Sequence, residues 1–166
     1  MVLKIIERCG LGSDRLMGDI LGYIVVNGPA TAYRIARDMN IHFAQAYRKV
    51  KRLERFRLVR RIDGRRGDVF EATVRGLVAC YYYSCADRRV VAARLARGVD
   101  REVVSRFLDA YFQYAGECAP VDDLPLMVFY AVSVGVPMRY VADLLPLLRP
   151  ICSIVSAAVP EIETAK

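Results

Sequence analysis

The side chains between residues 42 and 55 include types that bind nucleic acid, and their spacing suits one face of a helix. Arginine can form two hydrogen bonds to guanine, and glutamine two to adenine, at the base edges in the major groove of DNA. At about 100° per residue, one arc of this helix is apolar and is predicted to face the core: Phe43, Ala46, Val50 and Leu53. The opposite side carries the remaining set: Ala44, Gln45, Arg48, Arg52 and Arg55. The segment therefore predicts a helix that contacts duplex DNA.

The predicted contacts of this helix divide into two kinds. Recognition helices touch base edges mainly through their N-terminal half, so we expect Gln45 and Arg48 to contact bases, with Ala44 and His42 beside them. The other cations are better placed for phosphates, which position a protein but carry no sequence information: Lys49, Lys51, Arg52 and Arg55. His42 keeps a second interpretation of equal weight, in which it only caps the helix or contacts the backbone.

A second basic element follows the helix. Two short β-prone runs, 58–62 and 69–73, flank the turn sequence DGRRGD and predict a hairpin. Arg65 and Arg66 lie at its tip between two glycines, which permit a tight turn and a close approach. Two arginines at such a tip suit a phosphate ridge or a narrow minor groove. The alternative is an exposed turn with no partner.

The distribution of charge favours the same function. The formal net charge is +7, yet residues 31–75 alone hold 13 Lys and Arg against 5 Asp and Glu. The rest of the chain is almost balanced, so the positive excess lies in this one block. Such a block is typical of a surface that binds a polyanion. Arginine outnumbers lysine 21 to 4, and Asn and Gln number two each, a composition that leans toward a thermophile.

Capping residues, glycines and prolines delimit the predicted elements. Asp14 or Ser13 begins the first helix, Gly28-Pro29 ends it, and Thr31 caps the second. The predicted helices and strands are, in order, helices 14–27, 32–39 and 42–56, strands 58–62 and 69–73, and helices 74–84, 87–97, 100–115, 122–134 and 137–157. The predicted fold is mainly α with a small β-hairpin, in a sheet of two or three strands.

This order of elements resembles a winged helix-turn-helix of the broad MarR/PadR/ArsR-like type, over roughly residues 13–84. The stretch RLERFRLV is similar to the Leu-Glu-x-x-Gly-Leu-Val end of the third helix. Phe70 to Gly76 is similar to the aromatic-x-x-Thr-x-x-Gly exit from the wing. Arg57 departs from the pattern, because the family often has glycine there in a left-handed conformation. We therefore expect a different local turn at Arg57.

The resemblance implies a winged helix-turn-helix domain, which we place over residues 1–85. The helical pattern after Asp87 predicts an all-helical domain over residues 86–166. Regulators of this type generally bind two-fold DNA sites as homodimers. The helical half is nearly neutral and rich in apolar residues, and we expect it to form the dimer. The apolar face that suggests this comprises Val103, Phe107, Ala110, Tyr111 and Tyr114.

Other classes of function are disfavoured. No phosphate-binding, nucleophile-elbow or metalloprotease motif is present, and the single histidine has no partner at a useful spacing, so we expect no enzyme, no cofactor and no metal. We expect a cytoplasmic protein, since no signal peptide or membrane span is apparent. A small-molecule effector stays open but unidentified.

The predicted function is a transcriptional regulator that binds double-stranded DNA. One alternative is an architectural or replication-associated DNA-binding protein with little sequence preference, for which the same basic face would serve. A winged helix that binds only proteins is a third alternative, and the excess positive charge of residues 31–75 argues against it.

Overall fold

The computed structural model of the chain describes residues 11–64, 67–96, 98–116 and 119–148, with only the backbone described at 63 and 64. Most of these residues are helical. The α-helices are α1 (Arg15–Asn27), α2 (Ala32–Asp38), α3 (Phe43–Arg55), α4 (Val74–Tyr83), α5 (Arg88–Ala96), α6 (Arg101–Tyr114) and α7 (Leu124–Ser133). The strands are β1 (Ala30–Thr31), β2 (Val59–Gly64) and β3 (Gly67–Ala72). Two 3-10 helices follow α7, at Met138–Tyr140 and Ala142–Leu148.

The three strands form one small antiparallel sheet in the order β1-β3-β2. Strands β2 and β3 make the predicted hairpin, with Val59 opposite Ala72 and Gly64 opposite Gly67. The third strand that the prediction left open is β1, whose position the sequence did not indicate and which places Ala30 opposite Phe70. This two-residue strand joins the segment between α1 and α2 to the hairpin.

Side-chain caps fix where the first helices begin, largely as the sequence predicts. The Asp14 carboxylate accepts a hydrogen bond from the backbone N–H of Met17 at 3.1 Å, so Asp14 rather than Ser13 is the capping residue of α1. The Thr31 hydroxyl accepts one from the N–H of Arg34 at 3.1 Å and caps α2. These bonds satisfy donors that a helix N-terminus leaves free.

Helix α3 ends in a left-handed turn at Arg57, whose φ is +58°. The N–H of Leu58 donates to the carbonyl of Leu53 at 2.9 Å, and the N–H of Arg57 donates to that of Glu54 at 2.8 Å. This hydrogen-bond pattern is the Schellman motif, which commonly uses glycine at the left-handed position. The expectation of a different turn is therefore wrong: the turn is retained, and an arginine adopts the strained conformation.

Helix α4 packs closely against the start of β2. The Thr73 hydroxyl lies 2.6 Å from the carbonyl oxygen of Arg57 and accepts a hydrogen bond from the N–H of Gly76 at 3.0 Å. A Cβ built on Gly76 would lie 1.9 Å from the carbonyl oxygen of Leu58. The Thr-x-x-Gly spacing thus has a physical role, because it caps α4 and lets its backbone approach the end of the α3 turn.

The buried apolar residues form one cluster that extends from Leu11 to Leu144. Arg75 of α4, only 8% exposed, joins the two halves of the chain through Asp122, with Nε and Nη2 at 2.5 and 2.8 Å from the carboxylate oxygens. The two halves therefore share a core. A domain boundary at residue 85 stays a prediction.

The predicted helix over 137–157 is wrong for its described part. Residues 138–140 and 142–148 form 3-10 turns, and Pro146 lies inside the second one. Proline lacks the N–H that an α-helix requires at this position and clashes with the preceding turn. Residues 149–157 lie outside the described residues.

The apolar face of α6 mostly serves the core of the same chain. Phe107, Ala110 and Tyr111 are buried, and the Tyr111 hydroxyl donates to the carbonyl of Pro120 at 2.6 Å. Val103 is half-buried and packs on this core, whereas Tyr114 is exposed. This face therefore gives little support to a dimer contact.

Candidate nucleic-acid interface

The outward side of α3 carries the residues that the sequence places there. Ala46, Val50 and Leu53 are buried against the core. The predicted contact residues that lie exposed in the structure are His42, Ala44, Gln45, Arg48, Arg52 and Arg55. The division of α3 into a packing side and a solvent side is thus confirmed for these positions.

The prediction that Phe43 belongs to the packing arc is wrong. Its side chain is 50% exposed and stacks on Tyr47, with ring centroids 5.9 Å apart. Phe43 is the first residue of α3 and lies at the edge of the arc, where it lines an open groove with Tyr33 of α2. Tyr47, one turn later, is absent from the predicted set, although its spacing from Phe43 places the two on one side of the helix.

Gln45 and Arg48 are available for contacts outside the protein. The Nε of Arg48 donates to the carbonyl oxygen of Ala44 at 3.2 Å, which holds the side chain along the helix. A guanidinium has five N–H donors, and the terminal ones of Arg48 meet no acceptor among the residues that the structure describes. These terminal groups provide the paired donors that a guanine or a phosphate can accept.

His42 precedes α3 as its capping residue, but through its backbone. Its carbonyl accepts hydrogen bonds from the N–H groups of Gln45 and Ala46 at 2.9 and 3.0 Å. The side chain makes no capping hydrogen bond and is exposed. The imidazole is therefore not occupied by capping the helix.

Lys49 and Arg52 lie on the side of α3 that faces the start of α1. The Lys49 ammonium forms an ion pair with Asp14 at 2.5 Å, and Nη1 of Arg52 lies 3.6 Å from the same oxygen. Burial alone would raise the pKa of Asp14, but hydrogen bonds from Lys49 and Met17 and the charges of Lys49 and Arg52 outweigh it. The pKa is therefore below its ordinary value. Lys49 is thus partly committed to holding α3 on α1.

Other cations near the hairpin also have acidic partners. Lys51 pairs with Glu54, and its ammonium lies 6.0 Å from the centre of the Phe70 ring. Nε and Nη2 of Arg60 both donate to one oxygen of Glu71, at 2.9 and 2.7 Å. These pairs leave less free positive charge at the base of the hairpin than the sequence suggests.

Arg65 and Arg66 lie outside the described residues. The flanking residues Gly64 and Gly67 are opposite one another in the sheet, so the two arginines connect the paired ends of β2 and β3. The predicted role of Arg65 and Arg66 in binding phosphate therefore stays a prediction.

Three arginines of the basic block, residues 31–75, have no carboxylate within ion-pair distance in the described part of the chain: Arg48, Arg55 and Arg57. Arg48 and Arg55 are seven residues apart on α3 and share a side of the helix. Arg57 follows in the adjoining turn and is exposed. Together they form an uncompensated basic stripe, a term we keep for these three residues.

The described ranges contain neither a candidate metal site nor a candidate membrane-spanning helix. Within them, no group of three or more His, Cys, Asp or Glu side chains could hold a metal ion. No helix in the same part of the chain is long and apolar enough to cross a membrane. Comparison with models of known families, with curated proteins and with solved structures finds no match to this chain.

Proposed function

We propose that the chain is a DNA-binding regulator of transcription built on a winged helix-turn-helix. In this proposal α2 and α3 are the helix-turn-helix, and α3 enters the major groove. The β2–β3 hairpin is the wing, which contacts the flanking backbone. The order of α1, β1, α2, α3 and the hairpin, with the sheet order β1-β3-β2, supports this assignment.

The observation that carries the proposal is the uncompensated basic stripe. Most described cations of residues 31–75 have an acidic neighbour, but Arg48, Arg55 and Arg57 point their charge at solvent with none. Exposed arginines without an acidic partner are free to contact the phosphates of a polyanion, and such contacts supply most of the sequence-independent part of DNA binding.

The contacts are proposed to differ along α3. Gln45 and Arg48 lie in its first half, where side chains of a recognition helix reach base edges. Arg52, Arg55 and Lys51 lie in its second half and are assigned to phosphates. Lys49 contributes mainly by holding α3 against Asp14.

A homodimer would place two such helices on a two-fold DNA site. The supporting feature is on α7 rather than on α6, since Leu126, Phe129 and Val132 are exposed there. An exposed apolar row of this kind is typical of a contact surface. Phe129→Asp is expected to give a monomer in sedimentation velocity, with weaker binding to a two-fold site but an unchanged far-UV spectrum.

Selection of bound fragments from random duplex DNA tests the main proposal. Wild type is compared with Arg48→Ala, Gln45→Ala and Lys51→Ala. Loss of a base contact should relax the preference at one position of each half-site and cost about 1–3 kcal/mol. Loss of a phosphate contact should weaken all sequences alike.

The same selection separates the regulator from the alternative function. If all three variants retain the wild-type preference and lose affinity uniformly, α3 is an electrostatic anchor. The protein is then an architectural DNA-binding protein, which the basic stripe would serve as well. If wild type binds no duplex at physiological salt, both DNA-binding proposals are wrong.

A further inference from the structure

An exposed aromatic groove lies between α2, α3 and the hairpin. Tyr33 of α2 is 67% exposed, and Tyr47 is 40% exposed beside Phe43. These rings line a groove of about 460 Å³ that also includes Thr31, Asp68 and Phe70. We call this set of six residues the aromatic groove.

Packing of the core does not account for the exposed rings of the groove. Phe70 at its floor is fully buried and belongs to the core, but the other three rings project from the protein. The Phe43 and Tyr47 rings are stacked with planes 28° apart, so they form a nearly parallel pair. A planar apolar ligand could extend this stack, and burying three rings would contribute favourably to its binding.

Three cations lie near the groove without lining it. Arg48 follows Tyr47 directly on α3, and the Lys51 ammonium lies 6.0 Å from the Phe70 ring centre. On the hairpin side, Nη1 of Arg61 lies 3.5 Å from the carboxylate of Asp68. Asp68 is the one charged residue that lines the described groove, and Lys51 and Arg61 are paired with Glu54 and Asp68, so Arg48 is the nearby cation without an acidic partner among the described residues. Alternating basic and aromatic side chains are typical of sites that bind single nucleic-acid strands.

Polar groups at the rim suit the edge of a nucleobase. The Thr31 hydroxyl accepts a hydrogen bond from Arg34, which leaves its own hydrogen to donate. The Asp68 carboxylate can accept a hydrogen bond from an exocyclic amino group, as acidic side chains do with cytosine. A fully paired duplex could not use the stacked rings, because its base faces are covered by neighbouring bases.

We propose that the aromatic groove binds one unpaired base of a DNA strand, stacked on Phe43 and Tyr47. The inference rests on the proposed function for the placement of DNA along α3. It adds that the protein prefers DNA that is locally open, such as a duplex with a short unpaired bubble, over the same duplex fully paired.

Equilibrium binding to two matched DNA probes tests the proposal. One probe is a fluorescein-labelled duplex selected by the protein, and the other has the same sequence with a three-base bubble. The bubble contains 2-aminopurine, whose fluorescence falls when it stacks on an aromatic ring. Wild type is expected to bind the bubble at least about fivefold more tightly, as one stacked base would provide.

The variant Phe43→Leu/Tyr47→Leu removes the rings but keeps apolar side chains that favour a helix. It should lose the preference for the bubble and the 2-aminopurine quenching, and its affinity for the paired duplex should stay within about twofold. Tyr114→Leu is the matched control, since Tyr114 is 48% exposed on α6. This control should retain the preference. Circular dichroism verifies the fold of each variant.

Three results would overturn the inference. One is that wild type binds the two probes with equal affinity. Another is that the double variant loses affinity equally for the paired duplex and for the bubble, which would mean that the rings contact intact duplex. The third is a change in the oligomeric state of DNA-free protein on substitution of Phe43 and Tyr47, which would assign the groove to a second copy.

The outcomes also separate this inference from the proposed function. A protein that binds the bubble through the groove but no paired duplex would retain the inference and contradict the regulator. Sequence-specific duplex binding without a preference for the bubble would support the regulator and contradict this inference.

Discussion

The carbonyl oxygen of Leu58 fills the position where a side chain at Gly76 would begin, 1.9 Å from a Cβ built on that glycine. Leu58 follows the turn that ends α3, and Gly76 lies in the first turn of α4. The same carbonyl accepts a hydrogen bond from the N–H of Thr73 at 3.1 Å. This contact sets the distance between α3, which carries the proposed DNA contacts, and α4 of the central core.

Gly76→Ala should therefore destabilise the protein strongly. The added methyl group would overlap a backbone atom, which can be relieved only by moving α4 away from β2. We expect the free energy of unfolding to fall by at least about 3 kcal/mol, measured by urea denaturation.

Gly18→Ala is the control for this substitution. Gly18 is also a helical glycine, but its Cβ would meet atoms no closer than 3.9 Å. Alanine should therefore be tolerated there and should stabilise α1 by about 0.5–1 kcal/mol. Equal stabilities of the Gly76 and Gly18 variants would contradict the close contact at Leu58.

Arg57→Gly should stabilise the protein. Arg57 has a φ of +58° and an exposed side chain with no described ion pair. Glycine removes the strain, and its greater freedom in the unfolded chain offsets part of the gain, so we expect up to about 1 kcal/mol from thermal unfolding. Arg55→Gly, in the helix itself, should destabilise instead. A gain in stability coupled to weaker DNA binding would agree with a phosphate contact by Arg57.

Asp14→Asn should make the free energy of unfolding depend less on pH in the acid range. The native pKa of Asp14 lies below its ordinary value of 3.8, mainly because hydrogen bonds from Lys49 and Met17 outweigh the effect of burial. The native protein therefore binds this proton less readily than the unfolded chain. The resulting stabilisation is complete above the unfolded pKa and is lost as the pH falls through the lower, native value.

Asparagine keeps the cap of α1 but not the ion pairs with Lys49 and Arg52. The side chain of Asp14 is only 16% exposed, and we expect the variant to be about 1 kcal/mol less stable at pH 7. This difference should shrink toward zero near pH 2 in denaturation curves. Asp143→Asn changes an exposed carboxylate with no described ion pair and serves as the control. A difference that stays constant with pH would assign the effect to the cap alone.

Arg65→Ala/Arg66→Ala should weaken binding to all duplex sequences alike. These two arginines link Gly64 and Gly67 in the sequence, at the predicted tip of the hairpin, and phosphate contacts carry no sequence preference. The slope of log K against log salt should become less steep by about one unit for each phosphate that the variant no longer neutralises. Arg101→Ala/Arg106→Ala removes the same charge from exposed positions on α6 and should leave the slope unchanged. An unchanged slope in the hairpin variant would mean that the hairpin tip does not touch DNA.

The sequence predicted most of the elements because their signals are local. Asp14, Thr31 and Gly28-Pro29 act within one turn of the chain, and the structure uses each as predicted. The predicted helix over 137–157 fails in its described part, up to residue 148, because an apolar pattern does not outweigh Pro146, which excludes regular α-helical bonding.

Features that depend on distant residues could not be predicted. Lys49 forms an ion pair with Asp14, which lies 35 residues away in the sequence. Arg75 forms one with Asp122, which lies 47 residues away. The positive block therefore contains cations neutralised by acids outside it, which a count along the sequence cannot detect. The exposure of Phe43 also depends on distant residues, since the spacing of apolar residues along a helix does not show how much of that side the neighbouring elements cover.

The packing side and the solvent side of α3 are made of different residues, so their sequences can change independently. Ala46, Val50 and Leu53 carry the packing, whereas the exposed Ala44, Gln45 and Arg48 contribute almost nothing to it. Substitutions at exposed positions of this kind usually change stability by less than about 0.5 kcal/mol. Mutation can therefore rewrite the outward side of α3 while the fold persists, so that duplicated copies of such a gene could diverge in what they bind without first passing through an unstable ancestor.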